Sequence, residues 1–466
     1  MVRIPLFVLL ATLTAFGVQT SPEGPIVTFN KDVLPILQEN CQNCHHPGGI
    51  APMSLMTYED ARPWAKAIKA KLITRQMPPW FAEPGFAKLR NAPRLTDADI
   101  QKISAWADSG AREGDIRERH SEGRDYSNGW RTQPDIIVAM PSPYSVAATG
   151  VGEIRRFLIP NPFEEDTWVT SIEVRPGDPS VVHHVVVQIS DIVPRPDKVT
   201  ATPDGIKVET TVLAEPDRTV EGYYANLFPS GPGTFTTMEA VYTPGTQPLN
   251  FAYSNTAKLI PGRKAIRLEV HYTPNGKATT DQTKVGFTLA KAPVQRHFVI
   301  MAPEHLADAR KPISAGAENW ESKGELKFKQ DVDLVWFMPH MHLRGKDMTY
   351  QLIYPDGRKE IALSAKFNFH WQLGYELENP IHVPKGSRLV ITAHHDNSQN
   401  NRYNPDAKHE VLWGDMTSQE MMVPWFGVIV DSEAKPSDIA SYKQKGFEPN
   451  NSFSNSFCDS GCLIIQ

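Results

Sequence analysis

The 466 residues of this chain contain 39 prolines and 30 glycines, and this punctuation limits the possible folds more than any other feature. Proline removes a backbone donor and glycine loosens the backbone, so neither suits the interior of a long helix or a central strand. The patterned segments between them are mostly short, which predicts a chain that is β-rich over its larger part. The length exceeds one ordinary core, and about three domains are expected. A net charge of -5, with no basic stripe, argues against nucleic acid as a partner.

Met1-Val2-Arg3 followed by the apolar run from Ile4 to Val18 has the positive start of a secretory signal and is too short for a comfortable membrane span. The expectation is a signal over residues 1–24, a periplasmic or secreted mature protein, and no integral membrane segment after it. Cysteine occurs only at Cys41, Cys44, Cys458 and Cys462. The large middle therefore has no disulfide, while the tail pair is free to form one.

Phe29, Val33, Ile36 and Leu37 fall on one face of an expected helix that runs into Cys41-Gln42-Asn43-Cys44-His45. Two thiols three residues apart can each add to a vinyl group of one haem, while His45 presents a nitrogen to the iron. A zinc knuckle would need a second ligand pair nearby, and a redox pair of cysteines leaves the histidine unexplained. Candidates for the sixth ligand are Met53, Met56 and Met77, each of which core packing also suits. Met77 is preferred, because Pro78 and Pro79 hold its backbone extended and can aim the thioether. Thr96 with Asp99, the apolar Ile100, Ile103 and Ala107, and then Gly110 predict a capped closing helix. His46 is given no role. Helix, CxxCH, methionine loop and helix is the order of a small cytochrome c. Residues 25–116 resemble one, which implies a small all-α domain with one covalently attached c-type haem. Residues 117–145, charged and then proline-containing, read as a surface linker with little periodicity beyond Ile136 to Val138.

The remaining chemistry lies in histidines on alternating segments. In Pro339-His340-Met341-His342 the two imidazoles are two residues apart, and in a strand such residues share a face. Trp336, Met338, His340 and His342 are expected on that face, with Val335 and Phe337 on the other. Two solvated surface histidines fit the same spacing. In Val182-His183-His184-Val185 adjacent histidines point to opposite faces of a regular strand, so both meet one ion only if the strand is bulged or ends there. His271 lies on the polar side of an alternating segment with Arg267 and Glu269. Three imidazoles suit copper or zinc, and Met421, if joined to two imidazoles, favours the softer reduced state of copper. His394-His395 also invites a metal assignment, which is not made. Tyr350 to Tyr354, Pro355-Asp356-Gly357 and Lys359 to Leu363 predict a hairpin.

Taken in order, His183-His184, His271, His340-x-His342 and Thr-Ser-Gln-Glu-Met ending at Met421 resemble the ligand motifs of the copper type II, ascorbate-dependent monooxygenases. That family includes the peptidylglycine and dopamine monooxygenases. The resemblance covers about Ala147 to Asp431 and implies two antiparallel β-sandwich domains of jelly-roll topology, residues 146–293 and 294–431, facing each other across a solvent-filled cleft. It implies two copper ions: an electron-transfer copper on His183, His184 and His271, and a catalytic copper on His340, His342 and Met421. The reaction implied is hydroxylation of a substrate C–H bond with O2, the electrons coming from ascorbate or a redox protein and, in this chain, from its own haem. The substrate is a small molecule or a peptide. An arginine that anchors a peptide carboxylate in the peptidylglycine branch is replaced here by Met338, which argues against a C-terminal glycine peptide. A haem and copper protein of electron transfer or copper binding, without hydroxylase activity, is the alternative. A haem-containing sensor or scaffold whose β-domains bind a partner but no copper is a third. Residues 432–466 are a polar tail with no assigned role.

Overall fold

The computed structural model describes residues 26–119, 129–150, 152–190, 198–202, 205–209, 235–253, 255–303, 306–307, 311–414 and 417–442. The expected signal, part of the expected linker and the tail cysteines Cys458 and Cys462 lie outside the described residues. The chain is mostly β-sheet with few short helices. Among the described residues, no helix is long and apolar enough to cross a membrane.

Near the N-terminus, helices Leu34–Asn40, Tyr58–Ala61, Ala65–Ile73 and Asp97–Asp108 gather around their own core, in which Phe29, Val33, Leu37, Ile103 and Trp106 are fully buried. The last helix begins as its sequence requires. Thr96 Oγ1 accepts from the Asp99 amide at 3.1 Å while the Asp99 carboxylate accepts from the Thr96 amide at 3.0 Å. Gly110, at φ +93°, follows its end. The longest of these helices has 12 residues, and a cytochrome c-like all-α domain is not evident from them alone.

After Met77 the chain leaves the helices and straps itself onto the C-terminal sheets. Lys366 donates to the Phe81 carbonyl at 3.0 Å, Glu83 to Ser364 at 2.8 Å, Arg90 to Glu376 at 2.9 Å and Glu378 to Lys88 at 2.9 Å, all through backbone amides. The expected methionine loop is thus continued by an arm that adds backbone pairing to a distant part of the molecule.

One long sheet runs in the order Ile136–Ala139, Lys284–Leu289, Thr167–Arg175, Thr256–Ile260, Arg296–Pro303, Val423–Asp431, Val332–His340, Tyr375–Val383. Its first four strands share a core with the sheet Glu153–Pro160, Ala265–Tyr272, Val182–Ser190, Ala240–Tyr242. Its last four share another with Lys359–Lys366, Gly345–Ile353, Arg388–His395, Trp320–Phe328 and Ala440–Tyr442. The two β-modules join by a short parallel pairing, Thr256 to Arg296 and Ala257 to His297. Ile136–Ala139, read from sequence as linker, pairs with Lys284–Leu289 as an outer strand. The hairpin forms as expected, with Gly357 at φ +87° in its turn.

An apolar seam fixes the two β-modules against each other. With the N-terminal helices as the first module and residues 146–293 and 294–431 as the second and third, Trp336, Met338, Phe298 and Ile300 of the third lie in the same buried cluster as Val185 and Leu268 of the second. Burying each such side chain contributes about 1.5–3 kcal/mol. Trp336 needs glycine on both sides, since a Cβ at Gly374 or Gly427 would meet it at 2.8 or 2.9 Å. A bulge between Leu334 and Trp336 changes the expected alternation: Val335 joins Trp336 and Met338 in this cluster, while Phe337 faces the third module's own core.

Candidate metal centre

The second module supplies its histidines from a paired ladder. His184 is directly opposite His271, but the next partner of Tyr272 is Val182, so His183 is the extra residue of a bulge. The regular alternation that separated the two histidines is therefore broken at the required position. The rings of His184 and His271 are 3.7 Å apart, and those of His183 and His184 are 5.2 Å apart. Glu269 places Oε1 3.2 Å from His271 Nε2 and holds Arg156 through Oε2 at 2.5 Å. Burial alone would raise the Glu269 carboxyl, but the bond to His271 and the Arg156 charge outweigh it and hold it at about 2.

In the third module the strand ends at His340, and His342 lies beyond it in the turn. The two rings are 5.5 Å apart and perpendicular, so it is the turn, not continued strand alternation, that sets their relation. A buried carboxylate organises this turn. Glu420 accepts from the backbone amides of Arg344 at 2.6 Å, His342 at 3.0 Å and Met421 at 3.3 Å. It thereby ties the His340-x-His342 turn to the Met421 loop, and burial pushes its carboxyl up to about 7. Arg344, 3 % exposed, donates to the Ser418 carbonyl at 2.7 Å. His342 Nδ1 is 3.1 Å from the Gln419 carbonyl, and His340 Nδ1 is 2.6 Å from Gln372 Oε1. Each of these bonds leaves Nε2 of its ring to face a ligand.

His184, His271, His340, His342 and Met421 line one cavity of about 110 Å³ between the β-modules. The His184 and His340 rings are 5.9 Å apart, so histidines of the two β-modules meet across this cavity. The apolar seam is the physical reason. Burial lowers the imidazoles: His183 to about 3, His340 to about 4, and His184 and His342 well below the ordinary value, with the neighbouring histidines adding to the effect. They are neutral donors, the form that binds metals. His184 Nδ1 is buried without a hydrogen-bond partner, which costs about 1–3 kcal/mol unless a ligand takes it. The donor set of imidazoles and a thioether fits copper. The imidazoles meet in pairs; among the described residues no three His, Cys, Asp or Glu side chains form a ready metal-holding group.

A second cavity, of about 410 Å³, is walled by all three modules. The first contributes Cys41, Cys44, His45 and Met77, the second His183 and Thr273, and the third Phe369 and Trp371. His45 Nδ1 lies 3.1 Å from the Met53 carbonyl, which leaves Nε2 as the nitrogen that would hold an iron. Both thiols are uncombined, and burial raises them, Cys41 to about 12. Of the three candidate methionines, Met77 lines this cavity, while Met53 packs against the helical core. Paired thiols, a histidine and a thioether around one apolar cavity fit a c-type haem. His394 is taken by Asp347 at 2.6 Å, and His395, fully buried, contacts the Met421 carbonyl at 3.2 Å, so neither is a donor to either cavity.

No family model and no curated protein matches this chain. Among solved structures, the T13 particle of infectious bursal disease virus is similar at 7 % identity over 67 % of this chain and 74 % of that one, with a TM-score of 0.18. The Gt strain of the same virus is similar at 8 % identity over 67 % and 78 %, with a TM-score of 0.12. Likenesses this weak carry no argument about fold or function.

Three residues around these cavities had no sequence role: Gln372, Glu420 and Phe369. Glu420 stands inside the Thr-Ser-Gln-Glu-Met motif, next to the donor, and a carboxylate bordering the apolar run that begins at Met421 was its available signal. Gln372 and Phe369 lie in a segment where Phe367, Phe369, Trp371, Leu373 and Tyr375 alternate with polar or small residues; the alternation gives their faces, but only the fold brings them to the histidines.

Proposed function

We infer that this chain is an exported copper-dependent monooxygenase that hydroxylates a C–H bond with O2 and draws electrons from its own c-type haem. The observation that carries the reading is the convergence of His184, His271, His340, His342 and Met421, from two modules, on one cavity with a buried imidazole nitrogen left unpartnered. In this reading each β-module is a jelly-roll sandwich, and the N-terminal helices are a cytochrome c-like domain. Bound copper would supply the redox chemistry of oxygen activation.

The chain's own residues do the rest. His340 and His342, with their Nδ1 atoms engaged by Gln372 and the Gln419 carbonyl, present Nε2 to one ion, and Glu420 holds Met421 beside them. His183, His184 and His271 hold the other ion, Glu269 orienting His271. Met338, Val423 and Trp425 give the catalytic side of the cavity an apolar wall, which suits a C–H bond and not the carboxylate of a glycine-ended peptide. Cys41, Cys44, His45 and Met77 would hold the haem.

The test is copper and haem content of protein exported from cells competent for haem attachment, with His271→Ala and His340→Ala beside wild type. Two coppers and one haem, with a different copper weakened by each substitution, support the reading. Haem without copper overturns it. The small size of the histidine cavity, about 110 Å³, favours one second reading, an electron-transfer or copper-binding protein without hydroxylation. That reading requires the same metals and no substrate-dependent oxygen uptake.

A further inference from the structure

The two cavities share a wall, and much of it is one tetrapeptide. Phe369, His370 and Trp371 line the larger cavity, while Gln372, next in the chain, lines the histidine cavity. The bulge facing them divides in the same way: His183 lines the larger cavity and His184 the smaller. The two dividing elements touch. The His183 ring stacks on Phe369 at 4.5 Å and 23°. The Gln372 side chain reaches both histidine sets, with Oε1 2.6 Å from His340 Nδ1 and Nε2 3.4 Å from His183 Nε2.

Gln372 is 2 % exposed and held from several sides. Its carbonyl accepts from Thr243 Oγ1 of the second module at 2.7 Å, and its side-chain Nε2 donates to the Phe369 carbonyl at 3.2 Å. Gly245, at φ +85°, brings the backbone so near Trp371 that a Cβ would lie 3.2 Å from the indole. With Oε1 accepting from His340, the amide must turn its N–H groups toward His183 and Phe369. His183 then accepts through Nε2, which puts the proton of its neutral ring on Nδ1, so this ring takes a metal only by giving up the bond or moving that proton. A buried amide joined to histidines of two modules is held for their relation to each other, beyond the packing of either.

We propose that Gln372 is the positioning residue that couples the two cavities, so that single electrons pass from a haem beside Phe369 and His183, through the Gln372 amide, to a copper held by His340 and His342. This rests on the haem and copper reading above. In the step ferrous iron becomes ferric and a cupric ion becomes cuprous; no covalent bond forms or breaks, and the amide keeps both hydrogens.

The experiment uses the full chain loaded with haem and copper. A substoichiometric pulse of reductant under anaerobic conditions produces ferrous haem beside cupric copper. Haem oxidation is followed by absorbance, and loss of the cupric signal by electron paramagnetic resonance. With copper supplied at saturation, because loss of the outer partner of His340 also weakens its ion, Gln372→Leu is expected to slow the internal transfer by about tenfold or more. Gln372→Glu, which keeps an oxygen for His340 Nδ1, is expected to recover part of the rate. Equal rates in wild type and Gln372→Leu overturn the proposal. Where Gln372→Leu does not fold, Phe369→Leu removes the ring stack alone: slower transfer supports the coupling and an unchanged rate overturns it. A wild-type protein whose haem stays reduced beside bound copper overturns the coupling and leaves the metal reading standing, whereas one that binds no copper overturns both.

Discussion

In the second module the histidines stand on a hydrogen-bonded ladder, where His184 faces His271 across the strands and a bulge turns out His183. In the third they stand at and beyond a strand end, and Glu420 holds their turn to the Met421 loop through three amides. Similar donors are therefore positioned by distributed backbone pairing on one side and by a single buried carboxylate on the other. A ladder shares its load among many bonds, whereas a clamp concentrates it, so the two halves should differ in how they fail.

The largest effect expected from that difference is at the clamp. Glu420→Ala leaves the backbone amides of His342, Arg344 and Met421 without their acceptor, and should cost about 1–3 kcal/mol for each group left buried and unsatisfied. Urea unfolding measures it, and an effect under about 1 kcal/mol, the level of a surface ion pair, would break the comparison. Next come the donors. His340→Ala and His184→Ala should each weaken one copper by more than the about 100-fold that loss of an outer partner can cost, with little loss of stability. Metal titration with both variants tests whether the halves bind independently; loss of both ions from either variant would merge the two sites into one. Glu269→Gln keeps the shape beside His271 while removing the charge, and about a tenfold loss of affinity at that copper alone is expected. The smallest effect is at the strap. Arg90 pairs with Glu376 at 2.5 Å and lies over Tyr253 at 4.5 Å, touching both β-modules. Arg90→Ala should lower stability by about 1 kcal/mol or less and leave copper content unchanged.

Much of the site was legible because short motifs carry local geometry. CxxCH places two thiols and an imidazole at one end of a helix whatever surrounds it, and Thr96 with Asp99 and Gly110 marked a helix that formed between those limits. The alternation around His271 put Arg267, Glu269 and the histidine on one face, and all three line the cavity. Adjacent histidines at His183 and His184 stated a condition, a bulge or a strand end, without revealing which. Val335 was misplaced because a bulge changes the two-residue period without changing composition. The arm from Trp80 to Asn91 escaped because its bonds are backbone pairings with residues almost 300 positions away, which no local period reports.

The chain by itself determined its chemical inventory: the thiol pair beside His45, five imidazoles and a thioether at strand-like spacings, short segments, and too few cysteines to staple the middle. Those follow from side-chain chemistry and local period, which depend on near neighbours. Only the tertiary structure decided how the inventory is arranged: that His184, His271, His340 and His342 meet on one cavity, that the CxxCH cavity is walled by His183 and Phe369, and that Gln372 reaches both sets. Each depends on the apolar seam around Trp336 and Met338, a packing between distant strands that no single segment encodes.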